Sequence, residues 1–269
     1  MHRIRIPELK AKKGRGEKIA MLTAYDATMA RLFDRAGVDA LLVGDSLGMV
    51  VLGFETTLPV TMAAMIHHTQ AVVRGAERAL VVADMPFLTY QVSVEEAVRN
   101  AGRLLQEGGA AAVKLEGGRS VIDVVARLVD VGIPVMGHLG LLPQSIHQVG
   151  SYRRRATEPT DAKALVEDAA ALERAGVFAI VLESIPGDVA AAVTREVAVP
   201  TIGIGAGPDC DGQILVSYDM LGLFDRFVPP FVEQYAQLSS IVATAVESYV
   251  ADVRSGAYQR SLGATAPRT

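Results

Sequence analysis

Three stretches of this chain repeat one pattern in different letters: "LFDRAGVDALLVGDS" (32–46), "LLQEGGAAAVKLEGG" (104–118) and "LERAGVFAIVLESI" (172–185). Each is a helix-like run, a glycine turn, a short apolar strand, and a polar residue where the strand stops. Looser versions occur in "LVDVGIPVMGHLG" and "VTREVAVPTIGIGAG". Repeated βα units of this kind commit a chain to a parallel sheet covered by helices. The strand segments read as continuous apolar runs, as expected of strands buried on both faces. Strands are expected at 19–24, 40–44, 80–84, 112–116, 134–138, 179–183, 200–204 and 214–218. Helices are expected at 27–36, 60–76, 93–107, 119–131, 160–175, 188–197 and 232–253. Eight strands with intervening helices predict an α/β fold closed as a (β/α)8 TIM barrel, with an open doubly wound sheet as the alternative.

The chain has 269 residues, and an α/β barrel uses about 250 as one domain. No Pro/Gly/Ser-rich linker divides it, so residues 1–269 are expected to form one barrel domain with an N-terminal arm and a C-terminal helix and tail. The basic start "MHRIRIPELKAKKGRGEK" reads as a solvated arm in front of a first strand "IAMLTAY". No apolar run approaches the ~20 residues of a membrane helix, so no membrane partner is expected. The formal net charge of −4 argues against a nucleic-acid binder, which would usually present a basic surface. Cys210 is the single cysteine, so no internal disulfide forms; a reducing cytoplasm fits.

In a parallel barrel every strand C-terminus lies at one mouth, where active sites are built. Four carboxylates stand at such ends: Asp45 in "LLVGDS", Asp84 in "LVVADM", Glu116 in "AVKLEG" and Glu183 in "IVLES". Lys114 lies two residues before Glu116 and therefore faces the same way. A single acid at a strand end is usually a helix cap or a surface ion pair. Four acids converging on one cavity repel one another, and a hard divalent cation such as Mg2+ relieves that cost with an all-oxygen shell. Lys114 reads either as a structural partner of an inner acid or as a cation beside developing negative charge. An imine-forming lysine ranks below these.

The stretches "TAYDATMARLFDRAGVDALLVGDSLGMVVLGFETTLPVT", "HHTQAVVRGAERALVVADMPF", "AAVKLEGG", "PVMGHLGLLPQS", "VLESIP" and "PTIGIGAGPDCDGQILVSYDMLGL" resemble the ketopantoate hydroxymethyltransferase family, also called 3-methyl-2-oxobutanoate hydroxymethyltransferases. The likeness runs from about Ile19 to about Phe231. "LLVGDSLGMVVLG" followed by "VVADMPF" is its most specific element. The resemblance implies that Asp45 and Asp84 bind Mg2+ directly and that Glu116 is a metal-associated acid acting through water. It implies that Ser46, Asp84 and Lys114 contact the α-keto acid, with Asp45 also at the substrate, and that Glu183 is the proton acceptor. It further implies transfer of a hydroxymethyl group from 5,10-methylenetetrahydrofolate to 3-methyl-2-oxobutanoate, giving 2-dehydropantoate for pantothenate synthesis, and assembly as a homo-oligomer, a decamer. One stretch departs from the family pattern: where a loop like "GYKVQG" is expected, this chain has "SYRRRATEP".

Other features carry weaker signals. Gly203, Gly205 and Gly207 in "GIGAGPDCDG" are expected to permit tight backbone at the rim rather than to bind phosphate. His138 ends the fifth strand and is balanced between the mouth and a core position. His67 and His68 are neighbours on a helix and point apart, which is not a two-ligand geometry. Asp26 reads as an N-cap, and Tyr25 is placed to line the pocket. Arg153, Arg154 and Arg155 read as a solvated run or as an attractor for the glutamate tail of a folate. The stripe in "VEQYAQLSSIVATAVESYVADV" is suited to sealing the barrel or to packing a partner subunit. A Mg2+-dependent C–C lyase of the isocitrate-lyase or phosphoenolpyruvate-mutase type is the competing enzyme reading, and a non-catalytic keto-acid or metal-binding barrel the competing non-enzyme one. Such lyases often add a reactive loop cysteine, and Cys210 in "GPDCDG" is no convincing equivalent.

Overall fold

The computed structural model describes residues 3–258, which fall into two compact units divided after Val216. The first is a closed barrel of eight parallel strands in sequential order: β1 (Ile19–Thr23), β2 (Ala40–Val43), β3 (Leu80–Asp84), β4 (Ala112–Glu116), β5 (Val135–Gly140), β6 (Ala179–Glu183), β7 (Thr201–Ile204) and β8 (Gly212–Leu215). Pairing of β1 with β8, Ile19 opposite Gly212, closes the ring and removes both sheet edges. The open doubly wound alternative is thereby excluded. The covering helices are α2 (Ala27–Ala36), α4 (Met62–Gly75), α5 (Val94–Gln106), α6 (Ile122–Asp130), α8 (Pro159–Arg174) and α9 (Gly187–Glu196); α3 (Leu47–Val50) and α7 (Ile146–Val149) are single turns in loops. Local chemistry starts α2 where expected and α4 and α5 within two residues of the expected position. The Asp26 carboxylate accepts hydrogen bonds from the amides of Thr28 and Met29, and Thr61 and Ser93 cap α4 and α5 in the same way.

Period-two alternation separates the barrel interior into layers. Ile19, Met21, Ala40, Leu42, Leu80, Val82, Ala112, Met136, Val181, Ile202 and Ile214 form one apolar cluster. On several of the same strands, the next inward positions toward the C-terminal mouth are Asp84, Lys114, His138 and Glu183. The lysine and glutamate that interrupt "AAVKLEGG" therefore belong to a polar layer stacked on an apolar floor.

The N-terminal arm is not a solvated coil. Residues Ile6–Arg15 form helix α1, opened by Pro7 and a reciprocal bond from the Arg5 amide to Glu8 Oε2 (2.9 Å). Leu9 is 1% exposed and joins the floor cluster, with Ile4 and Ile6 packed against it. Lys13 secures the helix by donating to the carbonyls of Thr194, Val197 and Val199 and pairing with Asp211 at 2.9 Å. Three apolar residues among many charges are too sparse to announce this docking in sequence. Strand β8 starts two residues earlier than expected, at Gly212. A Cβ there would lie 2.5 Å from the Ile19 carbonyl oxygen, so the glycine is what lets β8 close on β1.

The second unit contains α10 (Ser217–Met220) and α11 (Leu238–Ser255). Helix α11 begins six residues later than expected, because the Tyr235 and Leu238 amides bond to the Met220 and Leu221 carbonyls instead of entering a helix. Val242, Val246, Tyr249 and Val253 form an exposed apolar stripe along it. Of the expected C-terminal tail, residues 259–269 lie outside the described residues.

Candidate active site

Strand ends bring Asp45, Asp84, Lys114, Glu116, His138 and Glu183 to one mouth. The Asp45 amide donates to Asp84 Oδ2 at 3.0 Å. Residue 44 is glycine, and a Cβ there would sit 2.8 Å from Ser46 Oγ, so the missing side chain leaves room for that hydroxyl. Asp84 and Lys114 are register partners on β3 and β4, and Lys114 Nζ lies 2.7 Å from Asp84 Oδ1. The same Oδ1 is buried without a well-aligned hydrogen bond, so it retains acceptor capacity for another partner. Glu116 is the register partner of His138, whose Nδ1 lies 3.6 Å from Glu116 Oε1 and 3.4 Å from Lys114 Nζ. An ammonium only donates, so His138 Nδ1 is the acceptor and Nε2 carries the proton. Nε2 faces Glu183 Oε2 at 3.2 Å. His138 thus belongs to the mouth, and its contacts there are to side chains.

The electrostatics follow from burial. Four carboxylates face one ammonium. Burial, then the neighbouring Asp84 charge, pushes the Asp45 carboxyl up to about 7. Burial raises Glu116 well above the usual carboxylate range. Burial alone would lower Lys114, but Asp84, Glu116 and Asp45 together hold it above its ordinary value, so it stays charged. Burial and the Lys114 charge lower His138, which keeps the imidazole neutral. Glu183 differs in access, since its side chain is 18% exposed while those of Lys114 and Asp84 are 5% and 3%.

Around this centre, the Ser46 hydroxyl lies 2.9 Å from the Tyr25 hydroxyl, and His68 Nδ1 lies 2.7 Å from the Tyr25 carbonyl oxygen. His67 is exposed and meets His68 edge to face, so the pair is not a two-ligand set. Gly205 and Gly207 adopt φ of 61° and 81°, the tight backbone expected at the rim. Arg153, Arg154 and Arg155 are exposed, while the Arg155 amide donates to the Ser184 carbonyl at 2.8 Å, next to Glu183. Two residues absent from the sequence reading are built into the centre. Gln144, on the turn after β5, donates from Nε2 to Asp45 Oδ2 at 2.9 Å and from its amide to Glu116 Oε2 at 3.0 Å. Tyr90 donates to Gln144 Oε1 at 2.7 Å. Among the described residues no group of three or more His, Cys, Asp or Glu side chains closes into a metal-ligating cluster.

A (β/α)8 barrel with buried acids, a charged lysine and a reachable glutamate at its C-terminal mouth defines an enzyme of the α/β-barrel class. Among solved structures, the fold matches a phosphonopyruvate hydrolase described in complex with oxalate and Mg++ (TM-score 0.63, 14% identity, 99% of this chain and 92% of that one). It also matches 2,3-dimethylmalate lyase, a PEP mutase/isocitrate lyase superfamily member (TM-score 0.59, 16% identity, 93% and 88%). At those identities the likeness concerns the fold. Sequence relatives are much nearer. Proteins named 3-methyl-2-oxobutanoate hydroxymethyltransferase from Moorella thermoacetica and Chlorobaculum tepidum are each 59% identical to this chain. They cover 95% of it with 95% of their own length, and 91% with 90%, respectively. The family model described as ketopantoate hydroxymethyltransferase matches residues 3–261. The chain belongs to the ketopantoate hydroxymethyltransferase family and is an enzyme, a hydroxymethyltransferase. No helix among the described residues is long and apolar enough to cross a membrane.

Proposed function

We propose that this mouth transfers a hydroxymethyl group from 5,10-methylenetetrahydrofolate to 3-methyl-2-oxobutanoate, giving 2-dehydropantoate for pantothenate synthesis in the cytoplasm. The observation that carries the reading is the charge imbalance: Asp45, Asp84 and Glu116 are buried together against Lys114 alone, and Asp84 Oδ1 still lacks an aligned hydrogen bond. Oxygen donors with uncompensated charge suit Mg2+, which keeps several waters and takes one or two carboxylates. Asp45 and Asp84 would hold it directly, with Glu116 acting through water. Mg2+ bound there supplies Lewis-acid polarisation of the keto acid, which stabilises its enolate.

The remaining chemistry is assigned to side chains. Ser46, Asp84 and Lys114 bind and orient the keto acid at the mouth, close to Asp45. Glu183 reaches the mouth from β6 and takes the C3 proton, and the C–H electron pair passes into the enolate. The neutral His138 beside it, with its proton on Nε2, steadies the carboxylate. Lys114, kept charged by its acidic neighbours, balances the enolate charge. C3 then attacks the folate-borne methylene, opened to an iminium, and the C=N electron pair returns to the folate nitrogen. Water next replaces that nitrogen on the methylene carbon, which leaves the hydroxymethyl group on C3 and frees the folate as its amine. The competing lyase chemistry with a reactive loop cysteine finds no support: Cys210 is fully buried, and burial pushes its thiol up.

Glu183→Gln tests the assignment. The variant is expected to bind Mg2+ and keto acid normally but to lose roughly 10²–10⁴-fold in exchange of the C3 proton with solvent deuterium, followed by NMR without folate. Undiminished exchange would remove Glu183 as the base. The exposed stripe on α11 also supports assembly as a homo-oligomer, a decamer by family resemblance; sedimentation velocity giving a monomer at micromolar concentration would refute that part.

A further inference from the structure

Gln144 is 4% exposed, and a buried primary amide has to satisfy two donors and an acceptor. It does so with side chains and backbone from three strand ends. Nε2 donates to Asp45 Oδ2 and to the Met85 carbonyl, both at 2.9 Å. Oε1 accepts from Tyr90 at 2.7 Å and from Gln91 Nε2 at 3.3 Å. Turning the amide over would set Oε1 against two acceptors, which fixes its orientation. Tyr90 is held in turn: its oxygen accepts from the Glu116 amide at 3.1 Å, and its one proton faces both Gln144 Oε1 at 2.7 Å and the Glu116 carbonyl at 3.2 Å, with the shorter contact to Gln144. The backbone N–H of Gln144 occupies Glu116 Oε2. One residue therefore claims one oxygen of Asp45 and one of Glu116. No described residue hydrogen-bonds Asp45 Oδ1. Asp84 is constrained by other means, with Oδ2 on the Asp45 amide and Oδ1 beside Lys114.

We propose that Gln144 is a positioning residue that turns Asp45 and Glu116 so that each offers a single oxygen, and that it thereby sets a preference for a small octahedral cation over Ca2+. The inference rests on the cation reading of the mouth given above. Ca2+ takes six to eight oxygens and readily uses both oxygens of a carboxylate, whereas Mg2+ demands six short, near-octahedral bonds and accepts single carboxylate oxygens with water. Holding Asp45 Oδ2 in a neutral hydrogen bond occupies one of its lone pairs and fixes the plane of the carboxylate, which disfavours the two-oxygen mode at no cost in charge. Partners of this kind outside the ligand set typically change metal affinity 10–100-fold when removed. Here the geometry adds that the two cations are affected unequally.

The test uses the full-length protein stripped of metal. Binding of Mn2+ is followed by EPR and competed with Mg2+ or Ca2+ in wild type, Gln144→Met and Tyr90→Phe. Gln144→Met keeps the volume and the backbone bond to Glu116 but frees Asp45. It is expected to weaken Mg2+ binding about tenfold and Ca2+ binding markedly less, so that the Mg2+/Ca2+ preference falls. Tyr90→Phe loosens the amide without touching Asp45 and is expected to move the preference the same way by a smaller factor. Thermal unfolding without metal checks that each variant folds; if Gln144→Met does not, Tyr90→Phe decides. An unchanged preference in the folded variants overturns the role of Gln144 and leaves the cation reading standing. Failure of wild type itself to bind Mn2+ or Mg2+ overturns both.

Discussion

The floor and the mouth of this barrel are made by the same strands, a few ångströms apart, and they follow opposite rules. On β3, Leu80 and Val82 lie in the floor and Asp84 at the mouth. On β4 the pair is Ala112 against Lys114 and Glu116; on β5, Met136 against His138; on β6, Val181 against Glu183. The floor residues are closely packed and uncharged, so their burial is favourable with no electrostatic penalty. At the mouth Asp45, Asp84, Lys114, Glu116 and His138 are just as deeply buried and only Glu183 is partly exposed, yet four acids crowd around one lysine and Asp45 and Glu116 are raised well above the usual carboxylate range. Placing both layers on shared strands lets a stable floor hold a costly mouth in fixed geometry. The contrast predicts that substitutions in one layer change stability and in the other change chemistry.

Asp45→Asn should separate the layers most widely. On the proposed roles it removes a cation ligand, and kcat/KM should fall at least about 10²-fold. Stability of the metal-free protein should move the other way. In the unfolded chain Asp45 ionises near 3.8, but in the folded protein only near 7. Between those values the folded state holds a proton that the unfolded state has released, so this group's contribution falls as pH rises from about 4 to 7 and stays low above. The loss amounts to a few kcal/mol at most. Urea unfolding of metal-free protein at pH 5 and pH 8 should show the wild type losing stability that Asp45→Asn retains, and Mg2+ should restore it to the wild type alone. Equal slopes in both proteins would mean that the mouth carries no such cost.

Met136→Ala sharpens the comparison from below. Met136 is fully buried, two residues before His138 on one strand. Truncation should cost about 2–5 kcal/mol in denaturant unfolding while leaving kcat unchanged at a temperature where the variant is folded. A kcat loss comparable to that of a mouth variant would show that the floor does not act as an independent support.

The same division explains what could be read from sequence. Strand periodicity is local, so Asp84, Lys114, Glu116 and Glu183 were legible as inward-facing ends of apolar runs, and Asp45 as the polar stop just after one. Nothing local marks Gln144. It stands on a turn with no period, and glutamine is usually exposed; only the three-dimensional meeting of three strand ends gives its amide a full set of partners. Tyr90 is hidden for the same reason. His138 was half legible, since its position at a strand end is local but the identity of its partners depends on register with β4 and β6. Helix α1 is not legible locally, because three scattered apolar residues become a docking face only when a barrel floor exists to receive them.

The smallest effect is expected at Arg153, Arg154 and Arg155, where this chain departs from the family-like loop. Their backbone is fastened beside the mouth: the Arg155 amide bonds to Ser184, and Ala156, next in sequence, adopts φ 53°, a left-handed conformation normally left to glycine. The guanidinium groups extend into solvent. A fixed backbone carrying free charges at the rim is suited to attracting an anionic tail without altering chemistry inside. Replacing all three with alanine should leave kcat and folding intact and raise the KM for the folate roughly two- to fivefold, as expected for exposed charges worth about 0.5–1 kcal/mol. The rise should be largest near 10 mM salt, where the screening length is about 30 Å, and should shrink toward 150 mM. It should also grow with the number of glutamates on the folate. A KM indifferent to salt, to glutamate number and to the substitution would make the run an ordinary solvated loop, and specificity for the donor would then reside in uncharged parts of the rim.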